Sequence, residues 1–94
     1  MSTALVIHYS DCNYQDKWYE TTVDFAREFL AKWRELQDKQ KTLDWFTSQV
    51  DYVGTEEGRP CKMINSVDTR LDQLFLGFYQ FEFCFEEWAA YLEG

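Results

Sequence analysis

The sequence predicts an α+β fold: a small single domain, residues 1–94, in the approximate order β-α-(α)-β-β-α, with a long C-terminal amphipathic helix packed on a small antiparallel sheet. Three observations carry this prediction. An apolar, β-branched run opens the chain, apolar residues then recur at helical spacing, and a heptad pattern fills the C-terminal third. A mostly α fold is the alternative.

Thr3–Tyr9 (TALVIHY), bounded by Ser10-Asp11, reads as a strand buried on at least one face. Asp11–Asp16 is a turn-rich loop. Thr21 or Thr22 caps the helix that follows, with Asp24 and Glu28 in the early turns favoured by the macrodipole. Phe25, Ala26, Phe29, Leu30, Trp33 and Leu36 form its apolar stripe, while Arg27, Lys32, Arg34 and Glu35 lie on other faces. Lys39-Gln40-Lys41 is a polar break. Thr42 then caps a second short helix, Leu43–Val50, that buries Leu43, Phe46 and Val50; a strand competes there because the run is short. Val50–Val53 and Cys61–Asn65 are short strands around a Gly/Pro-bearing loop, Gly54–Pro60.

The C-terminal pattern is the most regular. Val67, Leu71, Leu74, Phe78, Phe81, Phe85, Trp88 and Leu92 alternate steps of four and three, and Ser66 suits a cap before them. This predicts a helix over 66–93. Phe81, Phe83 and Phe85 alternate with Glu82, Cys84 and Glu86 in a competing, strand-like signal, and Gly77 weakens a helix by about 1 kcal/mol relative to Ala. A helix broken near Gly77, or a strand across 78–85, is therefore the alternative.

Composition limits the function classes. The chain is 46% hydrophobic and 19% aromatic, enough to offset the ordering entropy and to exclude wholesale disorder. Four Trp, six Tyr and eight Phe exceed what a core of this size needs, so some belong at the surface as binding anchors. The net charge is −8, the reverse of the basic footprint that phosphate backbones demand, and direct nucleic-acid binding is not expected. Residues 1–41 hold seven acids and six bases, whereas residues 42–94 hold ten acids and three bases. No basic residue follows Arg70. Three scattered cysteines without a CxxC, and an N-terminus without the order of a signal peptide, fit a reducing cytoplasm. The longest apolar runs are too short to cross a bilayer, so no membrane role is expected.

Little in the sequence points to catalysis. His8, the sole histidine, sits in the first strand with no HExxH, HxH or Cys/His cluster, and is expected to be a strand histidine with one ring nitrogen satisfied. Cys61 beside Lys62 is expected to be structural rather than an activated thiol. Asp68/Asp72 and Glu82/Glu86 are carboxylate pairs at helical spacing, but they come without the Asn, Gly and further acids of an EF-hand. No GxSxG, P-loop or GxGxxG is present. No enzyme, cofactor or metal is expected. The order of elements is shared with RNA-binding KH domains, yet Asp38-Lys39-Gln40-Lys41 stands where those need a GxxG turn.

Wound as one helix, residues 66–93 set Asp68, Asp72, Glu82, Glu86, Glu87 and Glu93 outside the heptad seam, interleaved with Tyr79, Phe83 and Tyr91. These nine are the candidate partner-binding residues. Leu76 and Phe83 fall at the position farthest from the seam, which implies burial on two sides or an outer binding face. Carboxylates at i and i+4 are roughly 6 Å apart, comparable to successive phosphates along one DNA strand. The expected function is thus a small, non-catalytic inhibitor that binds a protein with a basic surface, such as a nucleic-acid-handling enzyme or complex. Phage anti-restriction and anti-CRISPR DNA mimics and nuclease immunity proteins share this size and charge, although no motif matches them. The alternative is a structural or adaptor module that forms a homodimer through the seam.

Overall fold

The computed structural model describes residues 4–10, 16–52, 54, 58–66, 68–77 and 81–93, with the backbone only of 81–84. Its elements are β1 (Ala4–Ser10), β2 (Asp16–Thr22), α1 (Val23–Leu36), α2 (Lys39–Ser48), β3 (Val50–Asp51), β4 (Cys61–Ile64), β5 (Gln73–Gly77) and α3 (Phe81–Glu93). The class is α+β, as the sequence predicts. The sheet runs β3-β4-β2-β1-β5 and is mixed rather than antiparallel: β1 pairs with β5, and β3 with β4, in parallel.

Strand alternation decides what the sheet buries. Leu5, Ile7, Tyr19, Leu74 and Leu76 share one face and join Phe25, Phe29, Leu30, Phe46, Phe85, Trp88 and Leu92 from the three helices in a single core cluster. Phe29 is the hub, with rings of Phe25, Trp45, Phe46, Phe85 and Trp88 around it at 4.8 to 6.3 Å. On the other face, Ile64, Trp18, His8 and Phe75 stand in register across four strands. Val6 is fully buried on that face but lies outside the main core cluster.

The helix starts follow local chemistry. Thr22 is the α1 cap: its Oγ1 accepts from the Phe25 N–H at 3.2 Å. The α1–α2 joint is only two residues. Gln37 turns the chain in the left-handed region (φ 53°), its N–H donating to the Trp33 carbonyl, and Asp38 caps α2 by accepting from the Lys41 N–H at 2.8 Å. The expected break at 39–41 is therefore helix. Thr42 is not the cap; it is buried one turn inside, and its hydroxyl donates to the Asp38 carbonyl at 2.7 Å.

Two further expectations are overturned. Asp16–Thr22, read as the end of a loop and the approach to a helix, is the strand β2, paired on both sides with β1 and β4. The single helix over 66–93 does not form. Asp68 instead nucleates a turn, its Oδ1 accepting from the Arg70 N–H and its carbonyl from the Leu71 N–H, both at 3.0 Å. Residues 73–77 then make an edge strand. Leu76, anomalous at the outside of a helix, is buried because a strand has period two and sets it beside Leu74 on the core face. The alternative of a helix broken near Gly77 is not observed either, because a turn and a strand precede Gly77, and the strand considered across 78–85 gives way to α3 from Phe81 onwards.

Candidate functional site

The nine sequence-predicted residues divide three ways. Tyr79 lies outside the described residues. Glu82 and Phe83 belong to α3, with side chains outside the described set. The remaining six are placed, but not along one helix, because Asp68 and Asp72 precede β5.

Three of their carboxylates already have partners. Asp68 accepts two side-chain hydrogen bonds from the Arg70 guanidinium, 3.0 and 2.9 Å, which with the Arg70 N–H hold its pKa down to about 2. Glu93 receives both terminal nitrogens of Arg34, at 2.5 and 3.2 Å, and its pKa is likewise lowered. Asp72 accepts the Tyr91 hydroxyl at 2.6 Å, which raises the tyrosine pKa because ionising it would break that bond beside a carboxylate. Tyr91 is nevertheless 42% exposed. Glu86 and Glu87 differ: both are exposed on α3, and neither forms an ion pair among the described residues.

The seam residues of α3 whose side chains are described offer no outer surface. Phe85, Trp88 and Leu92 are all buried inside the chain's own core. Trp88 also donates its indole N–H to the Phe75 carbonyl at 3.0 Å, tying α3 to the edge strand. From the other side, Arg27 donates to the Leu92 carbonyl at 3.5 Å, so α1 arginines hold the C-terminal end of α3 at two points.

Where α1 and α3 meet, a surface groove of about 450 Å³ opens between Leu30, Trp33, Phe85 and Ala89, with Arg34 and Glu86 on its rim. Trp33 stacks on Phe85 at 5.4 Å and 10° and stays partly exposed. Sequence reasoning placed Trp33 in the α1 core stripe and missed this role. Its spacing gave no signal, because only the packing of α3 against α1 turns the margin of that stripe into a groove wall.

Two other features bring polar and aromatic groups together. A cavity of about 290 Å³ lies under α2, walled by Tyr9, Tyr19, Phe46 and Tyr52, with Asp44 and Lys17 also lining it. On the second sheet face, His8 stacks on Trp18 at 4.9 Å, meets Phe75 edge-on at 5.5 Å, and has Nε2 3.0 Å from Asp16 Oδ1. That arrangement satisfies one ring nitrogen, as the strand-histidine reading expects. Cys61 is 1% exposed, and burial pushes its thiol up to about 12, the opposite of activation. Among the described residues no group of three or more His, Cys, Asp or Glu could hold a metal ion, and no helix is long and apolar enough to cross a membrane. Comparisons with protein-family models, curated proteins and solved structures find no match for this chain.

Proposed function

We propose that the protein is a small, acidic, non-catalytic inhibitor that binds a basic surface on a nucleic-acid-handling protein or complex. The observation that carries this reading is the state of α3: Glu86 and Glu87 are exposed, neither forms an ion pair among the described residues, and Glu86 lines a groove with the partly exposed Trp33. Carboxylates left in solvent keep their field for a partner, whereas those of Asp68 and Glu93 are spent internally. Aromatic area at the same place supplies the apolar energy that charge alone does not. Phage anti-defence proteins that mimic DNA, and nuclease immunity proteins, are the functional classes this arrangement resembles. Self-association through the heptad seam is not favoured, because its described helical residues are core.

The test is binding of the purified chain to a panel of basic nucleases and effector complexes in rising salt. Affinity should fall as salt rises, and Glu86→Lys with Glu87→Lys should remove most of it at unchanged thermal stability. Binding indifferent to both salt and charge reversal would refute the reading.

A further inference from the structure

We infer that the α1–α3 groove is a receptor for one arginine side chain presented by the basic partner; this rests on the function proposed above and assigns its anchoring contact. The groove is lined by the apolar Leu30, Phe85 and Ala89 and by the Trp33 ring stacked on Phe85, with Arg34, Gln37 and Glu86 as its polar members. A guanidinium is planar and weakly hydrated, so it can lie against an indole while its N–H fork reaches a carboxylate. Glu86 supplies that carboxylate at the rim and has no ion pair among the described residues. Arg34, the cation among the described lining residues, is held by both oxygens of Glu93 and so does not fill the role itself. The tyrosine-walled cavity under α2 is less suited to a cation, because Lys17 lines it beside Asp44 and, among the described residues, has no ion pair of the kind that quiets Arg34.

The chemistry separates arginine from its neighbours. Lysine can satisfy Glu86 but cannot stack as a plane, and citrulline can stack but carries no charge. A second copy of this chain would bring another acidic surface to the same groove, which like-charge repulsion opposes.

The experiment titrates the full chain, labelled with ¹⁵N, with hexa-arginine, hexa-lysine and hexa-citrulline peptides and with single-stranded oligo(dT). Hexa-arginine should move the Trp33 indole resonance and the amides of Glu86 and Ala89. Its affinity should drop roughly tenfold in Glu86→Gln and more in Ala89→Lys, which inserts a competing cation without opening the core. An equal response to hexa-lysine or hexa-citrulline would overturn the guanidinium assignment. Salt-sensitive binding of hexa-arginine that moves only resonances elsewhere would overturn the groove while leaving the proposed function standing. A response confined to oligo(dT), concentration-dependent self-association through the groove, or no response to any probe would overturn the inference.

Discussion

At the level of single residues, the most consequential side chains are short polar ones at element boundaries. Thr22 ends β2 and caps α1 with no intervening loop, so one hydroxyl fixes where extended chain becomes helix. Thr22→Ala leaves the first-turn N–H of Phe25 without that acceptor and should cost about 1 kcal/mol, read as a shifted denaturation midpoint with unchanged m-value. A loss below a few tenths would mean that water replaces the cap in full. Asp68 is the same device used in the opposite sense. Its carboxylate closes a turn on Arg70 and so prevents the helix that the surrounding apolar spacing would otherwise permit.

At the level of elements, α3 is held by specific polar contacts as well as by burial. Trp88 fills the core completely and spends its only donor on the Phe75 carbonyl of the edge strand. Trp88→Phe should therefore cost about 2–4 kcal/mol, combining lost volume with an abandoned acceptor. Amide exchange should quicken in β5 more than in β1 or β2; a uniform rise across the sheet would show that the indole bond does not tether the edge. The strand β5 was hidden in the sequence for a physical reason. Leu74 satisfies both a heptad and a period-two pattern, and pairing with β1, more than sixty residues earlier in sequence, decided between them. The strand β2 was hidden because Trp18 and Tyr19 are adjacent large aromatics on opposite faces, which erases the alternation that marks a one-sided strand. By contrast β1 and α1 were legible, since β1 is a continuous apolar, β-branched run and α1 carries its own helical period and cap. Within the candidate site, Glu86 and Glu87 could be read as outward-facing helix residues. The arginine partners of Asp68 and Glu93 could not: Arg34 reaches Glu93 only through the packing of α1 on α3, and Arg70, two residues from Asp68, falls on another face of the helix expected there.

At the level of the whole molecule, folding redistributes the charge asymmetry. Bases of the near-neutral first 41 residues come to rest against the acidic C-terminal helix, where Arg34 clasps Glu93 and Arg27 meets the Leu92 carbonyl. Among the described residues, the unpaired surplus exposed on α3 is Glu86 and Glu87. Burial leaves a second global signature, on the alkaline side. Cys61, Tyr19 and Tyr52 are all pushed up in pKa, with desolvation the first cause in each case. For Cys61 the rise runs from 9.0 to about 12. Between those values the unfolded chain has released the thiol proton while the folded chain keeps it. The native state then binds more protons than the unfolded state, and stability must fall as pH rises. From pH 9.0 to 10.5 the Cys61 contribution alone is about 2 kcal/mol, at about 1.36 kcal/mol per pKa unit, and the two tyrosines add in the same direction at higher pH. Below about pH 8 the thiol is almost wholly protonated in both states and contributes almost no slope. Urea denaturation at a series of pH values should show a plateau up to about pH 8 and a steady decline above 9. Cys61→Ala should flatten the first part of that decline even though its midpoint at pH 7 is lower, because the cavity costs stability at every pH while the proton linkage is gone. A Cys61→Ala variant with an undiminished alkaline slope would transfer the effect to the tyrosines.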